Sequence, residues 1–115
     1  MAITEAFANS QAVDTTEWSM PRDASYTSAS PQTDDGIYQI VLDVSDMVAL
    51  DELQIRVYEK VNSGGTQRIV YEATLLGAQN SCWVSPSLIL MHGWDATLDA
   101  IVGTITVIWS IRKVA

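Results

Sequence analysis

The run from Leu53 to Leu75 limits what this chain can fold into more than any other. Two stretches of strand-forming residues flank Asn62-Ser63-Gly64-Gly65-Thr66. In the first, Leu53, Ile55 and Val57 alternate with Gln54, Arg56 and Lys60; in the second, Ile69, Tyr71, Ala73 and Leu75 alternate with Arg68, Glu72 and Thr74. A period of two places one set toward a core and the other toward water. The glycine-containing spacer predicts a β-hairpin, with one or both of Gly64 and Gly65 at positive φ if the turn is of a primed type.

The same alternation recurs along the chain. Thr15 to Met20 predicts a strand ended by Pro21, which has no N–H for a ladder. Arg22 to Asp35 is rich in Ser, Thr, Ala, Asp and Pro and predicts a long surface loop, closed by Asp34-Asp35-Gly36. In Ile37 to Val44, the residues Tyr38, Ile40, Leu42 and Val44 share a face. Ser45 to Asp51 is a crossover in which Ser45 or Asp46 could cap one helical turn. Cys82 to Met91 is a strand interrupted at Pro86. In Trp94 to Ile101, Trp94, Ala96, Leu98 and Ala100 oppose Asp95, Thr97 and Asp99, the wet side. Ile105 to Val114 is apolar on both faces, which calls for a cover on each.

Seven to eight short strands without a long helical pattern predict an all-β chain, an antiparallel, jelly-roll-like β-sandwich. The expected organisation is an N-terminal arm over residues 1–13 and one sandwich domain over 14–115. Ile3 and Phe7, four apart, could share a face of a short helix; otherwise the arm is a frayed end or orders against another chain. Ile3, Phe7 and Val13 on the arm, with Trp109 and Ile111 on the last strand, are the expected interface residues.

Several function classes have little support. A net charge of −8 with six scattered Lys and Arg offers no phosphate-binding patch, so neither nucleic acid nor an anionic membrane is an expected partner. No apolar run approaches the ~20 residues of a membrane-spanning helix. The N-terminus lacks the pattern of a signal peptide, and the mature chain is expected to begin near Met1 and stay soluble. Cys82 is the one cysteine, expected as a buried apolar group beside Trp83. A Ser85 or Ser87, His92 and Asp95 triad lacks a nucleophile-elbow motif. Cys82 and His92 fall short of a zinc site, and Asp34, Asp35, Asp43 and Asp46 lack the spacing of a calcium loop. No catalytic residue, metal or cofactor is therefore expected. Trp18, Trp83, Trp94 and Trp109 would suit sugar stacking if exposed in a row, but each sits in a strand pattern.

Three stretches together carry a resemblance: Tyr58-Glu-Lys-Val-Asn-Ser-Gly-Gly-Thr-Gln-Arg68; Trp83-Val-Ser-Pro-Ser-Leu-Ile-Leu90; and Gly93-Trp-Asp-Ala-Thr-Leu98 with Trp109-Ser-Ile-Arg112. Over residues 15–115 the chain resembles small β-sandwich virion proteins of tailed bacteriophages, particularly head decoration (cement) proteins. The resemblance implies a non-enzymatic structural protein, often trimeric, that is assembled in the host cytoplasm. It would sit on the outer capsid surface, touching the major capsid protein and its own copies. A tail or neck component would share these features, and a carbohydrate-binding module using the tryptophans and a small enzyme using His92 are the alternatives of other classes.

Overall fold

The computed structural model describes residues 2–114; Met1 and Ala115, the outer ends of the expected arm and domain, lie outside the described residues. In chain order the strands are β1 (Ile3–Val13), β2 (Trp18–Ser19), β3 (Ala24–Ser25), β4 (Gly36–Asp43), β5 (Glu52–Glu59), β6 (Arg68–Leu76), β7 (Trp83–Val84), β8 (Leu88–Leu90), β9 (Asp95–Val102) and β10 (Ile105–Val114). They form two five-stranded antiparallel sheets. Sheet I runs β1-β10-β4-β7, with β8 also on β4; sheet II runs β3-β2-β9-β5-β6. The fold is an antiparallel β-sandwich, as the alternation predicts, with ten strands rather than seven or eight.

The largest departure lies at the N-terminal end. Residues 3–13 are neither a helix nor a frayed end: they are an edge strand paired with β10 from Ile3–Val114 to Val13–Ile105. Alternation is hard to see there because a bulge between Glu5 and Phe7 shifts the face on which side chains emerge. Phe7 turns inward and its ring lies edge-on to Trp94 at 6.1 Å, whereas Ile3 turns outward.

The core follows from the alternation. Tyr38, Ile40, Leu42 and Val44 of β4, with its end, and Ile105, Val107, Trp109 and Ile111 of β10 face Leu53, Ile55 and Val57 of β5 and Trp94, Ala96, Leu98 and Ala100 around β9; all are buried. Each large aliphatic side chain so buried stabilises the fold by about 1.5–3 kcal/mol relative to exposure. Trp94 is the centre of one end: its indole N–H donates to the Asp34 carbonyl at 2.9 Å, and its ring lies 4.6 Å from that of Tyr38.

The β5–β6 hairpin forms, but not through a tight glycine turn. Eight residues separate Glu59 from Arg68, and neither Gly64 nor Gly65 has positive φ. Register is set instead by burial of the alternate residues and by a bulge at Val57/Tyr58, which places Ile69 opposite Tyr58. Ile69 therefore leaves the face it was expected to share with Tyr71 and is exposed. Pro86 splits the predicted Cys82–Met91 strand into β7 and β8, and Ser85 bridges the gap. Its backbone N–H donates to the Ile40 carbonyl, and its hydroxyl oxygen accepts from the Ile40 N–H, both at 2.9 Å. The 45–51 crossover contains no helix. It is held by Asp46, which accepts from the Thr106 N–H at 2.7 Å, and by Asp51, which accepts from the Val48 N–H at 3.0 Å.

Candidate assembly surfaces

Strand pairing arranges the outward residues of sheet I in rows. Ile3, Val114, Ile37 and Ile89 form one row across β1, β10, β4 and β8. Two steps along, Ala8, Ser110, Val41 and Val84 form another, and Ser10, Ile108 and Asp43 a third. Ile89 is 77% exposed and Ile3 66%, with Ile108, Val84 and Ile37 also open to solvent. A shallow groove of about 510 Å³ crosses this face, lined by Ala8, Val41, Cys82 and Ile108 among others. Cys82 is exposed there, not buried as expected. The resemblance to a core strand misleads because Cys82 lies just before β7, on the outward side of Asp43. Ionisable side chains are sparse: Glu5, which accepts from Ser110 Oγ at 2.6 Å, Arg112 and Asp43. Among the described residues, no segment supplies the cover that β10 calls for on its outer side.

Sheet II presents the opposite kind of outer face. The 20–32 segment runs along its β9 edge, where Met20 N–H donates to the Ala96 carbonyl at 2.9 Å and Gln32 and Trp94 exchange backbone hydrogen bonds, and between these points it carries Tyr26 over the face to stack on Tyr58 with centroids 4.6 Å apart. Beneath this cover Glu17 accepts from the Tyr58 hydroxyl at 2.6 Å and from the Thr97 hydroxyl. Arg56 reaches Glu17 at 3.4 Å, Glu72 at 3.1 Å and Asp99 at 3.1 Å. Burial alone would lower the Arg56 pKa; the Asp99 hydrogen bond and the Glu17 charge outweigh it and hold the guanidinium charged. Burial, reinforced by Glu17, pushes the Tyr58 phenol up, so it stays a donor.

Asp95 and Thr97, expected on a wet face, are fully buried under the same cover. Asp95 Oδ1 accepts from Ser19 Oγ at 2.7 Å and from the Ala96 N–H at 2.8 Å, while its Oδ2 has no partner. Burial pushes its carboxyl up to about 6, against the pull of the Ser19 hydrogen bond. No periodicity signals this burial, because the cover comes from a segment with no apolar pattern of its own.

A third feature is the Val48–Asp51 turn, closed by the Asp51 N–H on the Val48 carbonyl at 3.1 Å. Leu50 occupies it at φ 75° and is 87% exposed. A left-handed leucine costs roughly 1–2 kcal/mol. Gly103 (φ 92°) lies so close against the Asp51 carboxylate that a Cβ there would clash with it.

The other expected site residues are dispersed. Val13, Trp109 and Ile111 belong to the core, because the odd-numbered side of β10 faces sheet II; Phe7 is half-buried, and of the five expected interface residues Ile3 alone is exposed. The Ser85 hydroxyl donates to the Pro86 carbonyl at 2.8 Å, Ser87 is exposed, and Asp95 is engaged with Ser19, so no described hydrogen bond links either serine to His92 and Asp95. Asp34 pairs with Lys113 at 3.0 Å, which with the Tyr38 hydroxyl holds its carboxyl below the ordinary range. Asp43 accepts from the Ser45 N–H at 3.0 Å, which lowers it likewise. Trp94 and Trp109 are buried and Trp18 and Trp83 half-buried, so the tryptophans form no exposed row. Two stretches of the resemblance meet at one end: Lys60 N–H donates to the His92 carbonyl at 2.9 Å, and Gln67 Nε2 to the Gly93 carbonyl at 2.9 Å.

No protein-family model matches the chain, and no curated protein sequence is similar to it.

Proposed function

We propose that this protein is a structural subunit of a virion, a decoration protein that braces the outer surface of a tailed-bacteriophage head through contacts with the major capsid protein and with its own copies. The observation that carries the reading is the outer face of sheet I. It carries open apolar rows and is close to neutral in net charge, and a monomer in water would hold its apolar part exposed at a cost of about 25 cal/mol per Å². The exposed, strained Leu50 supports it too, since backbone strain of this kind collects where a surface is used. The motif resemblance supplies the particular assembly. Acidity supports a protein partner with a basic surface over nucleic acid or anionic lipid. On this reading the protein acts by binding alone, without turnover, metal or cofactor, and resides on the capsid surface after assembly in the host cytoplasm.

The test is co-sedimentation of the purified chain with DNA-free head shells that lack it. Saturable binding, with a stoichiometry set by the shell lattice and a raised shell melting temperature, is expected. Binding to isolated tails or necks and not to shells would move the protein elsewhere on the particle. Retention on a glycan array without shell binding would replace the reading with sugar recognition.

A further inference from the structure

We infer that two copies of this chain pair face to face through the outer surfaces of sheet I. The isoleucine row of each, Ile3, Ile37 and Ile89, would cover the groove around Val41, Val84 and Ile108 of the other. The inference deepens the proposed function by assigning the self-contact to one surface.

Charge distribution identifies the occupant. The chain has a net charge of −8, yet among the described residues the outward Asp, Glu, Lys and Arg of sheet I are Glu5, Asp43 and Arg112, a net of −1. Seven of the eight excess negative charges therefore lie elsewhere. A basic partner would choose the acidic remainder; a second acidic copy can approach closely only where the charge is absent. The molecule is 19 Å thick, so pairing through sheet I leaves the carboxylates of the two sheet II faces separated by far more than the ~8 Å Debye length at physiological ionic strength.

Shape agrees with charge. The molecule extends 41 by 32 Å along its two longer axes, an outline with room for the roughly 800 Å² per partner of a stable interface. Two sheet faces with alternating apolar rows pack at the ~10 Å spacing already used inside the sandwich. A ring would need two different complementary patches. One near-neutral face, whose apolar rows flank the opposite charges of Glu5 and Arg112, complements itself, which gives an isologous two-fold pair in place of the threefold ring implied by the resemblance.

Sedimentation velocity on the full chain tests this, comparing wild type with Ile108→Lys, Ile89→Lys and, as a control off the face, Val61→Lys. All three positions are exposed, so the fold should survive, and melting curves check that it does. A wild-type dimer is expected, with association weakened at least tenfold by each lysine on the face and unchanged by Val61→Lys. Cys82 gives an independent readout in the groove: its maleimide reaction rate should fall severalfold as wild-type concentration rises, and stay constant in Ile108→Lys. A wild-type monomer at every concentration, a threefold species, or an oligomer indifferent to both lysines would overturn the inference. Shell binding in the same samples keeps the two readings apart. A dimer that ignores shells leaves the pairing and removes the function, and a monomer that binds shells does the reverse.

Discussion

The outer faces of the two sheets come from similar alternation and end in opposite states. On sheet I the middle-strand residue Arg112 sits beside Glu5 and Gln39 among open apolar rows. On sheet II the interior-strand residue Arg56 is drawn in and tied to Glu17, Glu72 and Asp99. The difference shows that strand pattern assigns a residue to a face, while the connections decide whether that face meets water. On sheet II the outward polar residues are taken up by Glu17 and Ser19, beside the segment that carries Tyr26 over the face. Among the described residues sheet I has no such cover, and its outward apolar residues stay exposed.

The sharpest way to break this contrast is to exchange the two arginines for alanine. Arg56→Ala leaves Glu17 and Asp99 partly buried without a counter-ion. After allowance for the solvent that reaches Glu72, the loss should be about 2–3 kcal/mol of unfolding free energy in urea at pH 7. A loss below 0.5 kcal/mol would mean that the network is ordinary surface chemistry.

Asp95 sharpens the comparison through pH. Its folded pKa, raised to about 6, means that the folded state binds this proton more tightly than the unfolded chain, whose aspartates titrate near 4. The Asp95 contribution is therefore most favourable below pH 4, is lost as pH rises toward 6, and stays lost above it. Asp95→Asn imitates the protonated state and keeps an acceptor for Ser19 and Ala96. The variant should match wild type at pH 4 and exceed it by about 1–2 kcal/mol at pH 7.5. Equal stability at both pH values would show that Asp95 is not desolvated.

The smallest effects belong to sheet I. Arg112→Ala and Ile89→Thr should each change monomer stability by less than about 0.5 kcal/mol, measured at concentrations low enough to prevent self-association. A loss above 1 kcal/mol for either would mean that this face already has a structural partner within the chain.

Much of the fold was legible along the chain. Strict alternation in β4, β5 and β9 fixed the inward residues from Tyr38 to Val44, Leu53 to Val57 and Trp94 to Ala100, since a one-residue slip would expose every one of them. Pro86 announced the break between β7 and β8, because a missing N–H cannot be restored by packing. The candidate surface was half legible: two apolar faces on β10 could be seen, but not which one would remain open.

What only the tertiary structure decided lies where local signal is cancelled or absent. Bulges at Glu5/Phe7 and Val57/Tyr58 invert the pattern midway, which hid β1 as a strand and misplaced Ile69. Cys82 is exposed beside the half-buried Trp83 because it lies just before β7, outside the strand pattern that turns Trp83 inward. The burial of Asp95 depends on a loop far away in sequence folding over it, with Ser19 supplying a hydrogen bond across 76 residues. Periodicity records which side of a strand a residue takes, since that follows from backbone geometry; it holds no record of what later lies against that side, because long-range contacts set that.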